Sequence, residues 1–103
     1  MVRVEDVARA VADAALAVPG VAGLSPGRGV EVSTQFSGGK VLGVRFTADG
    51  VTIQIIADRV PLPPVASEVT ASVRRVLSAM GDGRAVTVVI DDVVAEALSR
   101  RAV

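Results

Sequence analysis

Residues 50–80 read GVTIQIIADRVPLPPVASEVTASVRRVLSAM, and a change of period inside this stretch decides the fold. From Val51 to Asp58, Val51, Ile53, Ile55 and Ala57 fall on one side of an extended chain, and Thr52, Gln54, Ile56 and Asp58 fall on the other. That alternation is the pattern of a half-buried strand. Beyond Pro63 and Pro64 the spacing becomes three and four, with Val65, Val69, Val73, Val76, Leu77 and Met80 on one stripe of a helix. Each large aliphatic side chain on such a stripe gains about 1.5–3 kcal/mol when fully buried. The other face carries Ser67, Glu68, Ser72, Arg74 and Arg75, so the helix meets water on one side and covers a sheet with the other.

The neighbouring segments attach to this unit on both sides. Upstream, Lys40–Thr47 is a β-like run followed by Ala48, Asp49 and Gly50, and Asp-Gly between two such runs predicts a hairpin with Arg45 and Thr47 near its end. Downstream, Gly81, Asp82 and Gly83 break the helix, and Ala85–Asp91 forms a strand with Val86, Val88 and Ile90 on one face and Val89 on the other. A helix joining two strands in this way predicts a right-handed crossover and a parallel pair, which makes the sheet mixed. Asp91 or Asp92 is expected to cap a short final helix whose apolar side is Val93, Val94, Ala97 and Leu98.

Nearer the start, Val4, Val7, Val11, Ala14, Ala15 and Val18 define a first helix, with Glu5 and Asp6 near its positive end and Pro19-Gly20 ending it. Val21–Leu24 is a brief strand. Ser25–Gly39 is polar and glycine-rich, with no regular period. The expected architecture is a single domain over residues 1–103, α+β and two-layered, with helices on one face of a small mixed sheet in the order α-β-β-β-α-β-α.

Composition narrows the chemistry. Half of the 103 residues are hydrophobic but only Phe36 and Phe46 are aromatic, so the core is aliphatic. Eleven basic residues balance eleven acidic ones, which removes the long-range attraction to phosphate backbones and predicts no nucleic-acid binding. There is no cysteine for a disulfide or thiolate site, and no histidine, the commonest metal ligand and neutral-pH base. No metal, cofactor or catalytic set is expected. Seven serines and five threonines are possible nucleophiles, but only Lys40, a carboxylate or the backbone is at hand to activate one. No membrane span is expected, since nothing approaches about 20 consecutive apolar residues. Charges from Arg3 to Asp13 interrupt the first apolar run, so no signal peptide is expected.

Several motifs have both a plain and a functional meaning. Asp91 and Asp92 could hold a divalent ion, but capping is the ordinary role for adjacent acids before an apolar run. Gly38-Gly39-Lys40 lacks Walker spacing and reads as a turn. Gly20-Val21-Ala22-Gly23 spells the GxxG of a KH loop without its basic middle. The doubled bases Arg74-Arg75 and Arg100-Arg101 are solvated charge or a contact for an acidic partner or anionic lipid surface.

The order VARAVADAALAVPGVAGLS, GGKVLGVRFTADGVTIQIIAD, LPPVASEVTASVRRVL and AVTVVIDDV resembles the alkaline shock protein and Gls general-stress family of Gram-positive bacteria over nearly the whole chain. The most specific parts are Val18-Pro19-Gly20-Val21 with Leu24, the helix opening at Pro64-Val65-Ala66, and the Val88–Val93 run with Asp91 and Asp92. The resemblance implies a non-catalytic cytoplasmic protein of the envelope stress response. Such a protein gathers at the inner face of the membrane through a small membrane-anchored partner. Some relatives imply a different role, as regulatory binding proteins for a fatty-acid or acyl-carboxylase enzyme. Either role works through surface, so a homo-oligomer is expected; the strand margins at Val21–Leu24 and Lys40–Thr47 are the candidates, and the second, longer and richer in β-formers, is expected as contact edge. The interaction residues expected are Val44, Arg45 and Phe46 on that strand, and Arg74 and Arg75 on the second helix. Ser25–Gly39 is expected either to guard that edge or to open and admit a partner.

Overall fold

The computed structural model describes residues 3–94 and Glu96. The chain runs α1 (Val4–Leu16), β1 (Val21–Leu24), β2 (Ser33–Phe36), β3 (Gly39–Leu42), β4 (Val44–Phe46), β5 (Gly50–Ala57), α2 (Leu62–Ala79) and β6 (Ala85–Val93). It is an α+β fold, as the period change in residues 50–80 requires.

β5 is the centre. Its side chains alternate between buried and half-buried along all eight residues. On one edge β6 runs parallel to it, from Gly50↔Ala85 to Ala57↔Val93, with a register shift between Ile55 and Ile56. The expected parallel pair joined through α2 is therefore present. The other edge is shared by two antiparallel strands laid end to end: β1 pairs with its second half, Leu24↔Ile55, and β4 with its first, Val44↔Ile53. Gln54 lies at the join, where its carbonyl accepts from the Ser25 N–H (3.0 Å) and its own N–H donates to the Gly43 carbonyl (2.8 Å). The hairpin predicted at Asp49-Gly50 closes β4 onto β5, with the Thr47 N–H donating to the Gly50 carbonyl (2.8 Å).

Both helices lay their apolar stripes on one face of this sheet. Val65, Val69, Val73 and Leu77 of α2 are buried, and with Val7, Val11, Ala12 and Ala15 of α1 they join Val51, Ile53 and Ile55 in one core. Val4, expected on the α1 stripe, is instead exposed at the helix start. α2 opens one turn earlier than its stripe, because Pro63 and Pro64 occupy first-turn positions where a missing N–H costs nothing.

The segment between β1 and β4 makes a second, two-stranded sheet. β2 and β3 pair from Ser33↔Leu42 to Phe36↔Gly39, with Ser37-Gly38 as the turn. The expected order thus gains two strands. The Lys40–Thr47 run is not one strand but the end of β3 and all of β4, broken at Gly43, whose φ of +81° suits glycine. Its N–H donates to the Val32 carbonyl (2.8 Å). Asp91 and Asp92 do not cap a helix; both continue β6. Val93 is in β6 as well, Val94 follows it with its N–H donating to the Ala57 carbonyl (2.9 Å), and Ala97 and Leu98 of the expected third helix lie outside the described residues.

Candidate functional site

The expected contact edge at β4 is occupied. The Thr34 hydroxyl, on β2, donates to the Val44 carbonyl (2.7 Å) in a buried bond, and the Arg45 guanidinium donates to the Glu31 carbonyl. The Val44 side chain is wholly buried in the core and not offered to a partner. Phe46 is half-buried with the Arg84 guanidinium 5.1 Å from its ring centre. The guard alternative for Ser25–Gly39 is the one the structure takes. Arg74 and Arg75 stand exposed on α2, and because Val44 is buried the five expected contact residues do not form one patch.

The segment also crosses the face of the sheet that the helices leave uncovered. The Ser25 hydroxyl donates to Asp91 Oδ2 (2.7 Å) and itself accepts from the Gly27 N–H (3.1 Å), which ties β1's end to β6 across β5. Arg28 reaches Asp92 at 4.0 Å. Gly27 lies so close over Gln54 that a Cβ there would stand 2.8 Å from its Oε1. Asp91 thus has a partner of its own, at the point where β6 shifts register.

One cluster has the outline of chemistry. Glu31 accepts from Lys40 Nζ at both carboxylate oxygens (2.9 and 3.0 Å) and from the Ser33 hydroxyl (3.1 Å). The lysine hydrogen bonds first, and the serine second, hold the Glu31 carboxyl below its ordinary range. A carboxylate stabilised in this way is a weak base, and Ser33 donates to it without contacting Lys40. The arrangement fits an exposed pin across the β2–β3 hairpin. Among the described residues no group of three or more carboxylates could hold a metal ion.

The longest margin the fold leaves open is the outer edge of β6, with which no strand pairs among the described residues. On the other side of the sheet the shorter β1 and β4 also pair with no strand but β5 among the described residues. Val86, Val88 and Ile90 face the helix layer but are only half-buried, and Val89, on the other face, is 36% exposed. A pocket of about 300 Å³ lies at the end of α1, between Pro19, Arg59, Pro61 and Glu68, where the Val60–Pro61 peptide is cis.

The chain matches no protein-family model, no curated protein and no solved structure. Function is therefore argued from residues and geometry. The sequence hides the β6 edge because Asp91 and Asp92 before an apolar run suggest a strand that ends there and leads into a helix. Its signal was present: Ala85–Ile90 contains no proline and no charge, the two residue classes that usually blunt an exposed edge.

Proposed function

We propose that this chain is a non-catalytic binding module of the envelope stress response, which self-associates and docks onto a small membrane-anchored partner at the inner face of the cell membrane. The observation that carries the binding part is β6, a nine-residue strand that has no partner along its outer edge among the described residues. Unpaired edge amides and carbonyls are a ready template for another chain. The absence of histidine and cysteine from the sequence, and the exposed, fully engaged state of Lys40 and Glu31, support a role without chemistry. The envelope part rests on the resemblance of residues 18–24, 64–66 and 88–93 to the alkaline shock protein and Gls family. No helix among the described residues is long and apolar enough to cross a membrane, which suits attachment through a partner.

Capture from native cell extract followed by direct binding of the purified components tests this. The expected result is a small single-span membrane protein that binds the folded chain directly. Direct binding of a carboxylase or acyl-kinase in its place overturns the envelope assignment in favour of a regulator of that enzyme.

A further inference from the structure

We infer that two copies of this chain join through the outer edges of β6, antiparallel and related by a two-fold axis near Val89, so that one sheet runs through both. This rests on the self-association in the proposed function and specifies its surface. Three features of β6 lead to it.

The first is the edge itself. Natural edge strands are blunted by prolines, charges, shortness or bulges. β6 is nine residues long, its stretch from Ala85 to Ile90 has neither proline nor charge, and its one irregularity falls at the far end, beside Asp91. Val, Thr and Ile dominate the stretch, and these residues fit a pleated surface well.

The second is charge. The acids Asp91 and Asp92 stand together at one end of the strand, while Arg84, just before the other, is held by Asp82 and Phe46. In-register parallel pairing of two copies would set carboxylate beside carboxylate at the strand spacing of about 4.8 Å. Antiparallel pairing about Val89 sets Asp91 opposite Thr87 and Asp92 opposite Val86 of the second copy, so the carboxylates of the two copies stand apart. Only the antiparallel arrangement keeps like charges apart, and a surface compatible with its own copy is what a two-fold interface requires.

The third is the unfinished core. Val86, Val88 and Ile90 border the buried cluster beneath α2 but remain half-buried. The two-fold axis keeps the helices of both copies on the same side of the shared sheet. It places Val88 beside Ile90 of the second copy on the helix side and Val89 against Val89 on the other.

Sedimentation or light scattering of the full chain, with changes at Val89, tests the geometry. Val89 lies on the uncovered face, so Val89→Lys and Val89→Glu should fold as the parent does. The parent is expected at twice its 10.5 kDa chain mass. Each variant alone should bind itself at least tenfold more weakly, because like charges then stand directly opposite, and an equimolar mixture of the two should recover the dimer. The chain has no cysteine, so Val89→Cys should cross-link to itself under mild oxidation, while a cysteine at the exposed Ser78 of α2 should not. A parent that keeps its single-chain mass up to the solubility limit overturns the inference. So does a dimer indifferent to both charges that Val89→Cys fails to cross-link, although self-association then stands. Partner capture is read separately, so docking can survive either failure.

Discussion

Gly43 shows how much one residue can decide. Its φ is +81°, and a Cβ there would stand 2.8 Å from Leu24 Cβ, 3.1 Å from the Gln54 carbonyl and 3.2 Å from the Ser25 nitrogen. Two of those three neighbours are backbone and cannot swing aside. Gly43→Ala should therefore cost at least the roughly 1–3 kcal/mol of a non-glycine residue held at positive φ. At about 4–8 °C per kcal/mol for a domain of this size, thermal unfolding should show Tm falling by about 4 °C or more, and an unchanged Tm would mean the chain passes this point differently. The same residue explains a misreading. Val41, Val44, Phe46 and Thr47 are all strand formers, so Lys40–Thr47 reads as one strand, and the lone glycine in the run is the only sign that the backbone is closely approached there. Glu31 makes a second test at this scale. Its pKa is lowered in the folded chain, chiefly by the Lys40 hydrogen bonds. Its contribution is thus present above the ordinary carboxylate range and is lost as pH falls through the lowered folded value. Carbon NMR of the Glu31 carboxyl should show that low midpoint, and Lys40→Met should raise it toward the ordinary value. A midpoint that stays put would show that the pin does not hold in solution.

Among the elements, α2 was the most legible and β2 the least. The α2 stripe keeps a three-and-four spacing across 18 residues, and all four of its buried members were read from the sequence alone. Val73 is among them and has no exposed surface. Val73→Asp places a carboxylate there at a cost of several kcal/mol, against a total stability of about 5–15 kcal/mol, so circular dichroism should show a largely unfolded chain. β2, by contrast, is four residues reading Ser-Thr-Gln-Phe, and no period can be recognised in so short and polar a run. What positions it is tertiary: the buried bond from Thr34 to the Val44 carbonyl, and the Arg9 guanidinium 5.1 Å from the Phe36 ring centre. Thr34→Val keeps the shape and removes the donor, leaving a buried carbonyl unpaired at a cost of about 1–3 kcal/mol. Denaturant titration should register that loss as a lower midpoint with an unchanged slope. Asp91 and Asp92 failed as a predicted cap for a related reason, since two acids before an apolar run look alike whether the chain coils there or stays extended.

For the whole molecule, the sheet is ordered around β5, which is flanked on both edges, while among the described residues β1, β4, β6 and the β2–β3 hairpin each have a margin with no strand partner. Hydrogen exchange should follow that order, with β5 amides slowest and hairpin amides among the fastest. Equal protection in both would contradict a sheet centred on β5. The balanced charge of the chain carries over to a second expectation, that titration with a mixed single-stranded pool at low salt shows no tight, steeply salt-dependent binding. The layered α+β class was legible because it needs only the two periods and their order, whereas the occupied β4 edge was not, because it depends on where residues 25–43 travel. That path leaves β1 at Ser25 and returns at Gly43 to the same point on β5, so that Gln54 bonds to the departing chain and to the arriving one. Geometrically, β1 and β4 are one strand line interrupted by an excursion. The entropy of closing such a loop grows only with the logarithm of its length, so residues added at the Ser37-Gly38 turn should lengthen it without re-threading the fold.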